Sequence, residues 1–370
     1  MAIAPRQRAR VPVFGWCCAS LPAASQGLRE GAFQIAIIQC TQMIKPRNSP
    51  DDAVFIQLRN RAAFGTLDEL AWIKVTGADR LRWLNGMVTN SVQSLAPGGG
   101  CYNYFLSAQG RIQGDATAFL ADDAIVLETG ASQRDALMQM LDRFIIMDEV
   151  ELEAVADRAG LVVAGPEAAA VLVSFGLSTD GLQPLRLISQ QWKNAPVDVI
   201  AAFGPVVARF EVWGNARTIV ELGDALRGEG VPHADAKAWE RLRILEGTPL
   251  YGVDIRDKDL PQETAQDRAL HFSKGCYLGQ EIVERIHSRG AVRRTFTGFL
   301  LQGESAAAGT QIFADMLDGK PVGEVTSVLE AGDTGQMALG YIRREALERG
   351  ATLLHTGGTV AHHVLPFDLG

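Results

Sequence analysis

The chain has 370 residues, more than a single hydrophobic core usually serves, so two or three packed units are expected. Its 47% apolar and 21% charged residues are values typical of a globular protein and exclude the disordered and collagen-like classes. The formal net charge of −8 argues against nucleic acid as a partner, and no apolar run reaches the roughly 18–20 residues that cross a bilayer.

The cysteines indicate a reducing compartment. There are five of them at irregular spacing, without a CxxC pair: Cys17, Cys18, Cys40, Cys101 and Cys276. An odd number in such a pattern argues against a disulfide framework. A metal site built by this chain alone is not predicted, because the usual close-spaced ligand pairs are missing.

Residues 1–50 differ from the rest in composition. Arginines precede Pro12, and Glu30 is the only acidic residue before Asp51. Transit peptides are Arg-rich and acid-poor in this way, but a flexible tail, or a true start at Met43, explains the same pattern. We favour the second explanation and expect residues 1–50 to be a disordered extension.

The first regular elements follow Phe55. Leu70 to Val75 predicts a strand that Gly77 closes. Asp79 can cap the next helix, whose apolar residues recur at helical spacing as far as Val88.

An antiparallel meander is predicted next. Its strands are Cys101–Leu106, Ala116–Leu120 and Ile125–Glu128, and the helical pattern of Ser132–Phe144 would cover one face.

Strand and helix patterns then alternate as far as Gly290, after which the pattern is one of strands without long helices. A strand ends at Gly165 and a helix begins at Glu167, while Asp235 can cap a helix that Gly247 ends. Beyond Gly290, short strands separated by glycines predict a small antiparallel barrel or sandwich.

The segment 272–290, FSKGCYLGQEIVERIHSRG, carries the most specific pattern. Its apolar stripe predicts a helix that begins near Gly279. Cys276 would then lie just before a helix N-terminus and two residues from Lys274, and both would stabilise a thiolate. The alternative is a small buried cysteine without chemistry.

The same segment resembles the signature of the YgfZ family, and the similarity spans roughly residues 68–341. The matching signature residues are Lys274, Gly275, Cys276, Tyr277, Leu278, Gly279, Gln280 and Glu281. Similar flanking stretches are 75–79, 243–252, 260–263 and 340–342.

The resemblance implies an α+β fold, a three-domain cloverleaf of the aminomethyltransferase type with a C-terminal antiparallel β-barrel domain. Residues 51–98 and 158–289 would form the first, folate-binding α+β domain. Residues 99–157 would form the second domain and 290–370 the barrel.

The function that the resemblance implies is tetrahydrofolate binding in the assembly or repair of [4Fe–4S] clusters, with iron–sulfur client or assembly proteins as partners in the cytoplasm. An accessory factor is expected rather than an enzyme. One alternative is a folate-dependent aminomethyltransferase or demethylase-type enzyme. Another is a binding module without folate affinity.

The family also implies site residues. Cys276 is the candidate reactive thiol, and Glu211 would bind the pterin through two hydrogen bonds, unless it is a surface carboxylate. Asn103, Arg111 and Asp115 lie where relatives carry a folate-facing hairpin. Gly114 stands where a second aspartate is expected, which weakens the case for acid/base chemistry there.

Overall fold

The computed structural model of the chain describes residues 50–290, 292–330 and 335–367. The expectations for the N-terminal extension, for Met43 and for Cys17, Cys18 and Cys40 lie outside these residues. No helix in the described ranges combines the length and the apolar character that a membrane span needs.

The described segments contain eight α-helices and sixteen strands. In chain order they are α1 (Pro50–Asn60), β1 (Ala63–Thr66), β2 (Leu70–Thr76), α2 (Arg80–Asn85), β3 (Gly100–Leu106), β4 (Ile112–Leu120), β5 (Ile125–Gly130), α3 (Arg134–Asp142), β6 (Glu151–Ala154), β7 (Arg158–Ala164), α4 (Ala168–Ser174), β8 (Arg186–Trp192), β9 (Ala195–Ala201), β10 (Arg209–Asn215), α5 (Ala216–Gly228), α6 (Ala236–Glu246), α7 (Gln280–Arg289), β11 (Arg294–Gly303), β12 (Gln311–Ala314), β13 (Gly323–Glu330), β14 (Gln336–Arg343), α8 (Arg344–Glu348), β15 (Leu353–His355) and β16 (Gly358–His363). Two 3₁₀ turns, Pro261–Thr264 and Asp267–Ala269, precede α7.

The first sheet has the order β1-β7-β10-β9-β8 and is antiparallel. Its strand β7 is a continuous apolar run because both faces are covered. Leu161 and Val163 pack against α4 and α5, while Val162 and Ala164 pack toward α6 and the outer face of the barrel.

The second sheet has the order β3-β4-β5-β2-β6, which confirms the predicted meander. Leu70–Thr76 belongs to this sheet, since it pairs with β5 and β6 and not with the first sheet. These partners lie some fifty residues or more further along the chain, so local patterns could not reveal them.

The two sheets meet through aromatic side chains. Trp213 of the first sheet lies edge-on to Trp72 and Phe119 of the second, with ring centroids 5.6 and 5.3 Å apart. Such edge-to-face pairs combine a large buried apolar area with a defined geometry. They fix the separation of the strands that carry the polar residues described below.

The C-terminal strands close into a barrel with the order β11-β14-β13-β12-β15-β16, as predicted. Alternation along β11 explains how the barrel joins the rest of the chain. Phe299 and Leu301 point into the barrel core, whereas Phe296 and Leu300 pack with the core beside α6.

Buried ion pairs also tie the barrel to the preceding segment. Arg243 of α6 donates to Asp254 at 2.6 Å and to Ser327 of β13 at 2.8 Å. Arg294 of β11 bonds to the buried carboxylates of Asp259 and Glu263. Removal of either arginine would leave buried charges without partners.

One predicted helix cap is confirmed and one is wrong. The Asp235 side chain accepts from the Ala238 amide at 2.9 Å, and α6 ends at Gly247 in the left-handed conformation, with φ 69°. Asp79 does not cap α2, because its carboxylate accepts from the Glu149 amide at 3.0 Å instead.

Candidate functional site

Cys276 lies exposed on a loop whose neighbouring residues are anchored. The Lys274 ammonium donates to the backbone carbonyls of Asn85, Val88 and Asn90 at 2.7, 2.6 and 2.5 Å. All three of its protons are therefore used on the chain that follows α2. Burial lowers the pKa of Lys274 to about 8. Lys274 therefore uses its hydrogen bonds on residues 85–90, and its stabilisation of a Cys276 thiolate stays a prediction.

The other signature residues hold the loop in place. Tyr277 is buried beside Tyr102 and Tyr104, and its amide bonds to the Gln280 side chain at 3.3 Å. Gly279 has φ 80°, and a Cβ on it would lie 2.5 Å from the Ser107 carbonyl oxygen. Only glycine fits this approach without strain. α7 begins directly after it, as predicted.

The signature loop packs on the hairpin between β3 and β4. Gly110 has φ 70°, and a Cβ there would lie 2.7 Å from the Cβ of Ile282 and 3.3 Å from the Gly279 carbonyl oxygen. Packing against α7 therefore requires glycine at position 110, as does the positive φ of this turn. Glu281 lies in the first turn of α7, and Gly275, like Cys276, is exposed.

Asn103 and Arg111 are both bonded to the backbone. Asn103 is fully buried; its Oδ1 accepts from the Asn90 amide at 3.1 Å and its Nδ2 donates to the Cys101 carbonyl at 2.7 Å. Arg111 is exposed and donates to the Lys258 carbonyl at 2.6 Å. Burial raises the pKa of the nearby Cys101 thiol to about 11.

A polar cluster lies where the two sheets meet. We call it the inter-sheet cluster, and its members are Asp115, Glu128, Arg209, Glu211 and Arg268. Asp115 accepts from the Tyr102 hydroxyl at 2.5 Å and from Gln133 Nε2 at 2.7 Å. Burial raises the pKa of Asp115, and these two hydrogen bonds oppose the rise.

Glu211 is buried in this cluster and is not a surface carboxylate. Its Oε2 accepts from Trp213 Nε1 at 2.9 Å, and its carboxyl group lies close to that of Glu128 of β5. Loss of solvation between the sheets raises the pKa of both carboxyl groups, and that of Glu128 rises well above its usual value. Glu128 escaped sequence reasoning, although an acidic residue between buried Leu127 and Thr129 was a signal.

Arg268, which sequence reasoning also missed, lies between two aromatic rings. Its guanidinium carbon is 4.1 Å from the ring centroid of Tyr102 and 3.8 Å from that of Phe203. Its Nε donates to Gln266 at 3.2 Å. Burial lowers the pKa of Arg268, and nearby Asp115 opposes this effect.

Arg268 and Glu246 line a cavity of about 790 Å³ between the first sheet's domain and the barrel. Glu246 ends α6 and is 4% exposed; its Oε2 accepts from Arg209 at 3.1 Å. Its Oε1 has no contact with solvent and makes no hydrogen bond of normal geometry within the described residues, although the amides of Val206 and Val207 lie close to the carboxylate. Burial raises the pKa of Glu246, while Arg209 and the amides of Val206 and Val207 oppose the rise.

The predicted site residues do not line this cavity. Among the described lining residues there is no Asn103, Arg111, Asp115, Glu211 or Cys276. Asp115 and Glu211 nevertheless belong to one cluster, which reaches the cavity through Arg268 and through the pair of Arg209 with Glu246. Nor do the described residues include a group of three His, Cys, Asp or Glu placed to hold a metal ion.

This arrangement of two sheets and a barrel defines a protein with the fold of aminomethyltransferase T. The crystal structure of the glycine cleavage system aminomethyltransferase T from Bartonella henselae matches it with a TM-score of 0.76 and 22% identity, over 86% of this chain and 89% of that one. The predicted fold class is confirmed. The GCVT N-terminal domain family matches residues 53–274, and the chain belongs to this family.

The relationship to YgfZ is also confirmed. The tRNA-modifying protein YgfZ of Klebsiella pneumoniae is 26% identical over 316 residues, which cover 82% of this chain and 92% of the relative. That of Cronobacter sakazakii is 28% identical over 232 residues, or 62% and 68%. A chloroplastic protein of Arabidopsis thaliana, provisionally named a transferase, is 26% identical over 308 residues, or 82% and 70%.

Proposed function

We propose that the chain binds tetrahydrofolate and serves the assembly or repair of [4Fe–4S] clusters in client enzymes. The observation that carries the folate part is the cavity of about 790 Å³. Ligand sites are typically concave, span roughly 300–1,000 Å³ and place a few polar groups among apolar ones. Here the Arg268 guanidinium and the Phe203 ring lie side by side among the lining residues, which suits a ligand with oxygen acceptors.

The iron–sulfur part of the proposal rests on the exposure of Cys276 on an anchored loop. A single thiolate cannot hold an iron–sulfur cluster, because such clusters usually take four. An exposed thiol between anchored neighbours can instead contact a client or share a cluster transiently. The client is then an iron–sulfur enzyme or an assembly protein.

The name of the bacterial relatives connects them with tRNA modification. An accessory protein fits such a role by acting on a client enzyme, without contacting RNA itself. The net charge of −8 favours this indirect route. The cytoplasmic location stays a prediction, and the Arabidopsis relative is chloroplastic.

Titration calorimetry with tetrahydrofolate tests the folate part. We expect saturable binding with one ligand per chain. Absence of binding at millimolar ligand would overturn the proposal and favour a binding module without folate affinity.

Complementation tests the part played by the cysteine. In cells that lack this protein, the wild type should restore aconitase activity and Cys276→Ala should not. Ser273→Ala is the matched control, because Ser273 is exposed on the same loop. Equal restoration by Cys276→Ala would refute a role for the thiol.

A folate-dependent one-carbon enzyme is the second candidate. The Glu128–Glu211 pair favours it, since a carboxyl group with a raised pKa keeps its proton to a higher pH and can act as a proton donor. Gly114, in place of a second aspartate, counts against it. Incubation with sarcosine, dimethylglycine or an aminomethyl donor and tetrahydrofolate should show turnover if this candidate is right, and no turnover at high protein concentration would exclude it.

A further inference from the structure

We propose that a ligand in this cavity determines how rigidly Cys276 is presented to a partner. Four consecutive residues of the cavity wall, 265–268, begin the stretch of chain that leads to the exposed thiol. We call residues 265–279 the strap, because they run from the cavity to the start of α7. This inference rests on the proposed function and adds a regulation of the same thiol.

The strap has little regular structure of its own. It contains the 3₁₀ turn Asp267–Ala269, and residues 270–279 belong to no helix or strand. Ser273, Gly275 and Cys276 are exposed. Segments with few buried contacts open locally at a lower free energy than the core does. The order of the strap therefore depends on the groups that hold it from outside.

The cavity end of the strap is held by Thr89 and Asn90, which follow α2. The Arg268 carbonyl accepts from Asn90 Nδ2 at 2.8 Å, and the Ala269 carbonyl accepts from Thr89 Oγ1 at 2.7 Å. The Arg268 side chain lines the cavity, with its guanidinium held between two aromatic rings. Because this side chain is partly exposed, a ligand in the cavity can contact it. Such a ligand restrains the same backbone that Thr89 and Asn90 hold.

The thiol end of the strap is held by the same short segment, residues 85–90. Lys274 makes its three hydrogen bonds to backbone carbonyls of this segment. The Leu278 amide donates to the Gly86 carbonyl at 3.0 Å. Cys276 lies midway in sequence between these two held residues, so its position follows that of residues 85–90.

Thr89 joins the two ends of the strap. It is fully buried, and its Oγ1 accepts from the Tyr104 amide of β3 at 2.9 Å while it donates to the Ala269 carbonyl. Its own carbonyl accepts from the His271 amide at 3.1 Å. Movement of the strap away from Thr89 would leave buried polar groups unpaired, which is unfavourable. The strap and residues 85–90 therefore move as one unit.

Binding at the cavity end thus increases order at the thiol end. A ligand that restrains residues 265–268 removes the conformations in which the strap has opened, and the amides beside Cys276 gain protection. Such coupling is reciprocal, so a client that holds the loop around Cys276 strengthens ligand binding in return. The loaded protein presents a more fixed thiol than the empty one.

Hydrogen–deuterium exchange tests the coupling in the whole chain. With saturating tetrahydrofolate, the amides of residues 274–279 should exchange about fivefold more slowly or less, and those of the edge strand β6, which is outside the cavity lining, should not change. Equal protection of both regions, or unchanged exchange of residues 274–279 while calorimetry shows binding, would overturn the inference and leave the proposed function in place. A wild type that binds no tetrahydrofolate in calorimetry would overturn the proposed function itself.

Two variants of Thr89 test the route. Thr89→Val removes the hydroxyl and keeps the shape, whereas Thr89→Ser is the matched control that keeps the hydroxyl. With saturating tetrahydrofolate, Thr89→Val should lose the protection of residues 274–279 and keep that of residues 266–268, while Thr89→Ser should keep both. Full protection of residues 274–279 in Thr89→Val would contradict the role of Thr89. Circular dichroism checks folding, and if Thr89→Val does not fold, the wild-type comparison decides alone.

Discussion

Replacement of Lys274 by methionine tests whether the signature residues 274–281 hold in place the loop that exposes Cys276. The change keeps most of the side-chain length but removes the three hydrogen bonds to the carbonyls of Asn85, Val88 and Asn90. These carbonyls belong to a segment some 185 residues earlier in the chain, so the lysine joins the signature loop to the end of α2.

The expected loss of unfolding free energy follows from two opposing effects. Hydrogen bonds to a charged group contribute about 1.5–3 kcal/mol each, so three contribute about 4.5–9 kcal/mol. Burial lowers the pKa of Lys274 from 10.5 to about 8, which corresponds to about 3.4 kcal/mol for a fully buried group. Partial solvent exposure reduces that cost to about 2 kcal/mol. We expect Lys274→Met to lower the free energy of unfolding by about 2.5–7 kcal/mol.

The pH dependence has a defined sign. Between about pH 8 and 10.5 the unfolded chain keeps the Lys274 proton and the folded chain releases it, so this residue makes stability rise with pH in that window. The wild type should therefore gain stability relative to Lys274→Met as the pH increases from 8 to 10.

Urea unfolding followed by circular dichroism gives both quantities. Lys320→Met is the matched control, because Lys320 is exposed between β12 and β13 and should tolerate the change. A Lys274→Met variant within about 0.5 kcal/mol of the wild type, the range usual for a surface substitution, would refute the scaffold role.

Three further predictions concern the same regions. Gly279→Ala should destabilise the fold by about 2–4 kcal/mol in urea unfolding, because φ is 80° and the new Cβ meets the Ser107 carbonyl, while Gly275→Ala, with open space around it, should have little effect; equal stabilities would contradict this. At pH 8 iodoacetamide should label Cys276 far faster than Cys101 by mass spectrometry, since a thiol with a pKa of about 11 is only about 0.1% thiolate; similar rates would show that Cys101 is accessible. The raised pKa of Glu128 means that the folded chain holds a proton which the unfolded chain releases above about pH 4.5, so the stability of the fold decreases as the pH rises beyond that value. Glu128→Gln should therefore flatten the decline in urea midpoints between pH 5 and 8. Parallel curves for the variant and the wild type would contradict this prediction.

Local patterns predicted much of the fold. The cap at Asp235, the left-handed Gly247 and the start of α7 after Gly279 depend on residues within a few positions of one another, and the sequence contains them all. The antiparallel barrel was equally visible, because its short strands alternate between inward and outward side chains and end at glycines.

What the sequence could not reveal depends on residues far apart in the chain. β2 lies in the second sheet because it pairs with β5, which comes much later in the chain. The Lys274 side chain points inward because backbone carbonyls of residues 85–90 accept its hydrogen bonds. Glu246 and Arg268 carry no local motif. Their position at the cavity depends on how α6, a 3₁₀ turn and the barrel pack together, and this packing produces no periodic pattern in the sequence.

At the candidate site, too, a contact between the two sheets could not be predicted from the sequence. Glu211 was found through resemblance, but its partner Glu128 lies on a strand of the other sheet. The pairing matters because both carboxyl groups are buried and the charge of Glu211 contributes to the raised pKa of Glu128.

A crystal structure of the chain with tetrahydrofolate tests the central claim most directly. The account predicts electron density for the ligand in the cavity of about 790 Å³ that Arg268 and Phe203 help to line. Density elsewhere on the chain, with the cavity empty at a saturating ligand concentration, would contradict it.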